Sequence, residues 1–282
     1  MNKIDLHLHS NYSDGSDSIE QLLQKILDAK LEIFSLTDHD TSEGCKEIEK
    51  IIPKKIKFIR GIELTCILED IKCHILGYNY DINNKELNEL IEKGKKLRRN
   101  KLETRIQYLK DKWNIILTDE ELNWLYSRKS VVKTHLANIL VKRNLAKTNV
   151  EAMQKYLDAC KTGNTRFDGK EAIKILKNSG ATVIWAHPIG GEGEKHLSKE
   201  DFLKRLEIMK RNNIDGIECF YSRYTEEECN ILYDIATEKG LLITGGSDYH
   251  GSNKENISIG QLNSENIKIN PDLSLFIQYL LY

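Results

Sequence analysis

The chain has 282 residues, 40% of them hydrophobic and 30% charged, with a formal net charge of −1. This apolar fraction is enough for a full hydrophobic core, and the balanced charge excludes a general electrostatic preference for nucleic acid. No apolar run approaches the roughly 20 residues of a membrane-spanning helix and the N-terminus shows no export signal, so a cytoplasmic protein is expected.

The first predicted strand, residues 4–10, carries two histidines on one face. Because side chains alternate between the faces of a strand, His7 and His9 point the same way. Their Cβ atoms would lie roughly 6.6 Å apart, a spacing that lets two imidazoles reach one metal ion. A loop containing Asp14 follows directly. Taken alone, the same pattern is also compatible with two histidines on a solvated strand face.

Further strands end in residues that bind metals. Short β-branched runs alternate with helical patterns, which predicts a parallel sheet of βα units in a barrel or a doubly wound arrangement. The runs cover residues 33–37, 56–64, 71–78, 181–186, 216–219 and 241–244. Ligand-type side chains lie in or near the ends of six of the seven predicted strands: His7 and His9, then His39, Glu63, His74 and His187 on one strand each, and Asp248 and His250.

Residues 81–165 have a helical pattern throughout. We expect them to form an inserted helical subdomain, with residues 1–80 and 166–282 forming the metal-binding barrel. The densest basic stretch of the chain, residues 93–105, is either a solvated helix face or an electropositive wall that attracts a phosphorylated substrate. A later helix opens with Lys133 and His135, where an anion could meet helix N–H groups. A core or surface role for His135 is nearly as well supported.

Nine imidazole and carboxylate side chains are candidate metal ligands: His7, His9, Asp14, His39, Glu63, His74, His187, Asp248 and His250. Such ligands without thiolates suit zinc, manganese or iron, and nine exceed what one ion can use. We therefore predict two to three divalent transition-metal ions. Neighbouring ions polarise a phosphoryl oxygen and convert a bound water into hydroxide, which is the chemistry of phosphoester hydrolysis.

These stretches resemble the ordered motifs of the PHP (polymerase and histidinol phosphatase) superfamily. The matching motifs, from residue 3 to about residue 251, are D-L-H-L-H-S-x-x-S-D-G, L-T-D-H-D-T, G-I-E-L-T, H-I-L-G-Y, W-A-H-P and G-G-S-D-Y-H-G. The chain most resembles the branch of AMP phosphatases and nucleoside 3′,5′-bisphosphatases, which is also linked to trimming of RNA 5′ ends and carries a helical insert. The resemblance implies an α/β fold, a distorted (β/α)7 barrel with an inserted all-helical cap.

The resemblance also implies roles for individual residues. One ion would take His7, His9, Glu63 and Asp248, a second would share Glu63 and add His74 and His187, and a third would take Asp14, His39 and His250. The residues expected to act in catalysis are Glu63, Asp248 and His187.

Substrate contacts are expected from the insert. The branch typically has an arginine two residues before the histidine of its insert, where this chain has Lys133 before His135. Lysine keeps the charge but lacks the bidentate fork of arginine, and Arg128 could compensate. Arg128, Lys133 and His135 are therefore the predicted substrate-binding residues.

The activity implied is metal-dependent hydrolysis of a nucleotide phosphate monoester by a metal-activated hydroxide, with short RNA as a further substrate and no membrane or protein partner. A histidinol-phosphate phosphatase or another small-molecule phosphatase is the nearest alternative. A non-catalytic metal-binding module is a third, against which the intact ligand set and the lack of a polymerase region weigh. A His-x-His amidohydrolase would need a metal-bridging lysine, and none is convincingly placed.

Overall fold

The computed structural model describes residues 3–163, 166–191, 193–254 and 256–266. The strands in this part are β1 (Ile4–Leu8), β2 (Ile33–Leu36), β3 (Lys57–Leu68), β4 (Ile71–Tyr78), β5 (Phe167–Asp168), β6 (Thr182–Trp185), β7 (Gly216–Tyr221) and β8 (Leu242–Gly246). The α-helices are α1 (Ile19–Asp28), α2 (Glu43–Ile51), α3 (Lys85–Trp113), α4 (Asp119–Tyr126), α5 (Lys133–Lys142), α6 (Asn149–Ala152), α7 (Gly169–Asn178), α8 (Lys199–Arg211) and α9 (Glu226–Glu238). Thr165, at the end of the predicted insert, and residues 267–282 of the predicted barrel lie outside the described residues.

Seven strands form a nearly closed barrel in the order β1-β2-β3-β4-β6-β7-β8, and β5 pairs with β3. The first and last strands approach each other just beyond β8. There the Asp248 N–H donates to the His7 carbonyl at 2.8 Å, and the His9 N–H donates to the Tyr249 carbonyl at 3.0 Å. The predicted distorted barrel is confirmed.

One strand contradicts the expectation of a parallel sheet. β4 runs antiparallel to both of its neighbours, β3 and β6. Only Glu69 and Asp70 join β3 to β4, and both adopt left-handed backbone conformations, with φ of 45° and 67°. A two-residue connection reverses the chain, because parallel strands need a crossover of a dozen residues or more. The resulting hairpin sets His74 opposite Thr65, on the same face as Glu63.

Helix starts follow local sequence signals. Ser18, Thr118 and Thr225 begin α1, α4 and α9 with capping boxes, in which the hydroxyl accepts the N–H three residues later. The acidic or amide side chain at that third position bonds back to the cap N–H, so two otherwise unpaired donors are satisfied at each start.

Buried apolar side chains form separate clusters in the barrel and in the helical segment. One cluster lies entirely between Leu102 and Leu157. The first turns of α3 behave differently, because Leu87, Leu90 and Ile91 pack into the main barrel core. The helical segment therefore has its own core only from about residue 102, and the proposed division at residue 81 stays a prediction. Within the described part of the chain, none of the helices has the length and hydropathy that crossing a bilayer demands.

Candidate metal centre

Glu63 on β3 is buried, and its carboxylate is surrounded by imidazoles. Its Oε2 lies 3.3 Å from His7 Nε2, 3.2 Å from His9 Nε2 and 3.1 Å from His39 Nδ1. His7 belongs to β1, His9 follows it and His39 follows β2. Because β1, β2 and β3 are adjacent parallel strands, their carboxyl ends bring these side chains together.

The other oxygen of Glu63 faces the antiparallel side of the barrel. Oε1 lies 2.9 Å from His74 Nδ1 and 3.3 Å from His187 Nε2. His187 follows β6 and has a left-handed φ of 28°, a rare conformation for a non-glycine residue and one that is frequent at functional sites. Each oxygen of one carboxylate thus faces its own group of imidazoles, an arrangement suited to a carboxylate shared by two ions.

Two further carboxylates extend the cluster. Asp248 Oδ1 lies 3.3 Å from His9 Nε2 and 3.5 Å from His7 Nε2. Asp14 Oδ1 lies 3.1 Å from His250 Nε2. All nine predicted ligands therefore meet at one rim of the barrel.

The potential ligand atoms form three groups, and inside each group all atoms lie within 4.8 Å of one another. The groups are His7, His9, Glu63 and Asp248; His9, Asp14, His39 and His250; and His39, Glu63 and His74. The first group matches an implied ion site. The second adds His9 to the implied set, and the third contains His39 where the resemblance places His187. The assignment of ligands to individual ions stays a prediction.

Several inward-facing atoms of the cluster are buried without a hydrogen-bond partner: His7 Nε2, His9 Nε2, Asp14 Oδ1, His39 Nδ1, Glu63 Oε2, His74 Nδ1 and His250 Nε2. Buried polar atoms are normally paired, because leaving them unpaired costs free energy. Imidazole and carboxylate atoms of this kind are the donors that divalent ions bind. The residues therefore fit the metal ions that the motifs imply.

Burial and mutual attraction set the protonation of the cluster. Burial alone would raise the pKa of the Glu63 carboxyl, but the neighbouring histidines hold that pKa well below its usual range. Burial lowers the pKa of His39 and His74, which keeps a lone pair available for ligation. Burial also opposes a charge on His9, yet the carboxylates of Asp248 and Glu63 raise its pKa to about 9. The cluster thus attracts positive charge, as a proton or as a metal ion.

Glu218 on β7 supports the cluster from behind, and the sequence did not single it out. Its buried Oε1 lies 2.8 Å from His7 Nδ1, and its Oε2 accepts the His187 N–H at 2.8 Å. A carboxylate that accepts a hydrogen bond from the non-ligating ring nitrogen of an imidazole fixes the tautomer and orientation of that imidazole. The only signal in the sequence was one charged residue in an otherwise apolar strand.

Asp38 holds the loop after β1. Its carboxylate accepts the Ser10 N–H at 2.8 Å, the Ser10 hydroxyl at 2.7 Å and the Ser13 hydroxyl at 2.6 Å. Burial raises the pKa of Asp38, although the hydrogen bonds and His9 oppose this. The loop that carries Asp14 is thereby fixed against β2.

A cavity of about 1750 Å³ opens over the cluster and reaches α4, α5 and α6. Arg128, Lys133 and His135 all line it. The Lys133 ammonium pairs with Asp158 at 2.5 Å, and the Arg128 guanidinium lies 5.3 Å from the centroid of the Trp124 ring. His135 is buried, and burial lowers its pKa to about 4, so its imidazole is neutral at neutral pH.

Other cations in the cavity wall were not singled out by the sequence: Lys72, Lys142, Lys147, Arg166, Lys195, Arg205, Arg223 and Lys254. Among the described residues, the basic stretch 93–105 contributes nothing to this lining. Its Lys95 pairs with Glu92, and its Arg98 binds Asp40 on the barrel. These contacts place the stretch outside the cavity lining, and its interpretation as an electropositive wall stays a prediction.

A family model, described as the PHP domain, matches residues 5–168, which is more than half of the chain. The chain belongs to the PHP domain family. This PHP chain is 28% identical over 253 residues to the 5′-3′ exoribonuclease Rnm of Escherichia coli K12, covering 87% of this chain and 84% of that protein. It is 23% identical over 267 residues to the 3′,5′-nucleoside bisphosphate phosphatase of Chromobacterium violaceum, covering 92% and 91%.

A solved structure shows the same fold. The crystal structure of a protein from Bifidobacterium adolescentis, described as a metal-dependent phosphoesterase, matches with a TM-score of 0.80 and 24% sequence identity. The match covers 98% of this chain and 96% of that one. The PHP chain is thus an enzyme of a family of metal-dependent phosphoesterases.

Proposed function

We propose that this PHP enzyme hydrolyses a phosphate monoester of a nucleotide, of the AMP or nucleoside 3′,5′-bisphosphate type, with the 5′ ends of short RNA as further substrates. The observation that carries the proposal is Glu63, whose two buried oxygens each face separate imidazoles beneath a cation-lined cavity. The exoribonuclease and bisphosphate phosphatase activities named for the two relatives support this substrate class.

Two or three divalent ions, manganese, iron or zinc, would be held by the nine ligands His7, His9, Asp14, His39, Glu63, His74, His187, Asp248 and His250. Such ions supply Lewis acidity toward a phosphoryl oxygen and a nucleophilic hydroxide at neutral pH.

The chain itself fixes the ligand orientations. The Tyr221 hydroxyl donates to Asp248 Oδ2 at 3.0 Å, and the Lys254 ammonium lies 2.5 Å from the same oxygen. These contacts leave Asp248 Oδ1 directed toward His7 and His9. Glu63 contacts His7 and His9 with one oxygen and His187 with the other, and we assign Glu63, Asp248 and His187 to the reacting centre.

We also propose that residues 81–165 act as a cap over the cavity. Just before α5, the Ser130 N–H donates to the Tyr12 carbonyl at 3.1 Å, in the loop that carries Asp14. Asn138 on α5 bonds Asn253 at 3.3 Å. Arg128, Lys133 and His135 would hold a substrate phosphate other than the one being cleaved.

The cavity is large enough for a substrate that extends beyond a mononucleotide, such as the end of an RNA. Ligand pockets usually enclose about 300–1,000 Å³, and this cavity measures about 1750 Å³. A histidinol phosphate would leave much of it unfilled. A non-catalytic metal-binding role would not account for cations arranged above the cluster.

The test is a phosphatase panel with manganese, zinc, iron and magnesium. It covers AMP, a nucleoside 3′,5′-bisphosphate, histidinol phosphate and a short 5′-phosphorylated RNA. We expect the enzyme to release phosphate from the nucleotides with a higher kcat/KM than from histidinol phosphate. A preference for histidinol phosphate, or no hydrolysis by folded and metal-loaded protein, contradicts the proposal.

A further inference from the structure

We propose that Trp124 forms a stacking platform for a nucleobase in the cap side of the cavity, and so selects nucleotides over other phosphate esters. This inference rests on the function proposed above and names the part of the substrate that the metal centre does not contact. The sequence motifs did not indicate this platform, because Trp124 lies outside all of them.

The position of the indole is imposed by α4. The helix begins with the Thr118–Glu121 capping box, and Arg143, just after α5, binds Glu121, with Nε 2.7 Å from Oε1. In this fixed helix Leu125 is buried in the core of the helical segment, whereas its neighbour Trp124 reaches the surface. Trp124 is 37% exposed, and the surface that it exposes is part of the cavity wall.

Trp124 is connected to the metal centre by a short chain of contacts. Its ring meets His135 edge to face at a centroid distance of 5.5 Å. Just before α5, the helix of His135, the Ser130 N–H donates to the Tyr12 carbonyl, two residues from Asp14. A ligand with its phosphate at the metal cluster can therefore extend along the cavity wall toward the indole.

The surroundings of Trp124 combine apolar surface with positive charge. Val150, 56% exposed, and Met153 line the same cavity. Arg128 stacks over part of the indole, and Lys133 lies on the wall nearby. A flat ring system attached to phosphates matches this combination, because aromatic side chains stack on bases while cations follow the backbone.

A buried structural role does not explain the exposed indole. Large apolar side chains in a concave cavity with a few polar groups are typical of small-molecule ligand sites. The base could belong to a mononucleotide or to the terminal residue of an RNA, and the test below separates these sources.

The experiment compares Trp124→Ala and Trp124→Phe with Trp113→Ala. Trp113 is a matched control: it is also 37% exposed and lies at the end of α3, outside the cavity lining. We expect Trp124→Ala to lower kcat/KM for AMP by about 5- to 150-fold, the effect of losing one stacked base. Trp124→Phe should recover most of the loss, and hydrolysis of ribose 5-phosphate, which has no aromatic ring to stack, should stay unchanged in all variants.

A comparison of two substrates identifies the kind of molecule that supplies the base. A larger loss for AMP than for a short 5′-phosphorylated RNA assigns the platform to mononucleotides, and the reverse assigns it to an RNA terminus. Equal losses on AMP and ribose 5-phosphate, or a loss of the same size in Trp113→Ala, overturn the inference while leaving the phosphatase proposal intact.

Fluorescence gives a readout that is independent of catalysis. In the Trp113→Phe/Trp185→Phe double variant, Trp124 is the sole indole. Its emission should be quenched by adenosine and AMP but not by ribose 5-phosphate, with or without metal. Absence of quenching by adenosine and AMP overturns the inference even if Trp124→Ala fails to fold. Quenching without any phosphatase activity would instead refute only the proposed function.

Discussion

At the scale of single residues, Glu63 is the side chain on which most of the cluster depends. We expect Glu63→Gln to lower kcat by at least about 100-fold, because an amide cannot supply the negative charge that shared ions need. The barrel core does not include this side chain, so the variant should keep its circular dichroism spectrum. An unfolded Glu63→Gln protein would show that the residue is structural.

Glu218 offers a test of ligand positioning. Glu218→Gln should weaken metal affinity by about 10- to 100-fold, because His7 loses the carboxylate that orients it. Glu228→Gln is the matched control, since Glu228 also bonds an imidazole, that of His196, at 2.6 Å but outside the cluster. Metal titration by calorimetry should separate the two variants. Equal metal affinities of the two variants would show that Glu218 does not position the metal ligands.

Substitution of Lys133 tests whether the enzyme binds a substrate phosphate other than the one being cleaved. Lys133→Ala should lower kcat/KM for a 3′,5′-bisphosphate by roughly 10- to 150-fold, the usual cost of a charge-assisted contact. Hydrolysis of p-nitrophenyl phosphate should change little. Lys133→Arg should match or exceed the parent enzyme, because arginine restores the fork. Equal losses on both substrates would assign Lys133 to the fold, for example through its pair with Asp158.

At the scale of elements, the helical insert supplies charge to the cavity from α5 and the segment after it. Reversal of Lys142 and Lys147 to Glu should raise KM for AMP, and the effect should fade with salt because the Debye length is only about 8 Å at 0.15 M. Reversal of Lys95 and Lys96, which lie outside the cavity lining, is the control and should change KM less than about 2-fold. A larger rise in KM for the Lys95 and Lys96 variant, measured at low ionic strength, would show that the basic stretch on α3 attracts the substrate instead.

The elements also show where sequence patterns stop being informative. The alternation in β1 was sufficient to place His7 and His9 on one face, because that rule is local. The direction of β4 was missed because Glu69-Asp70 lacks the glycine or asparagine that marks most two-residue hairpins. Glu218 was missed because its partner, His7, lies 211 positions away in the chain.

At the scale of the whole molecule, the barrel brings together residues that are spread from His7 to His250. The order of motifs was enough to predict the barrel type and the meeting of nine candidate ligands at one rim, while their binding of metal stays a prediction. The cavity cations and Trp124 could not be predicted in this way. Trp124, Lys142 and Lys147 come from the helical segment, whereas Lys72, Arg205 and Lys254 come from elsewhere in the chain, and no local pattern shows that such distant side chains meet at one cavity.

The central claim is that a multinuclear centre performs the hydrolysis. The most direct measurement titrates metal into chelator-treated protein and follows phosphate release from AMP together with ions bound per chain in the same samples. We predict that activity appears only as the second ion binds, because Glu63 links separate ligand groups. Full activity with one ion per chain, or no hydrolysis after two or three ions have bound, would contradict the account.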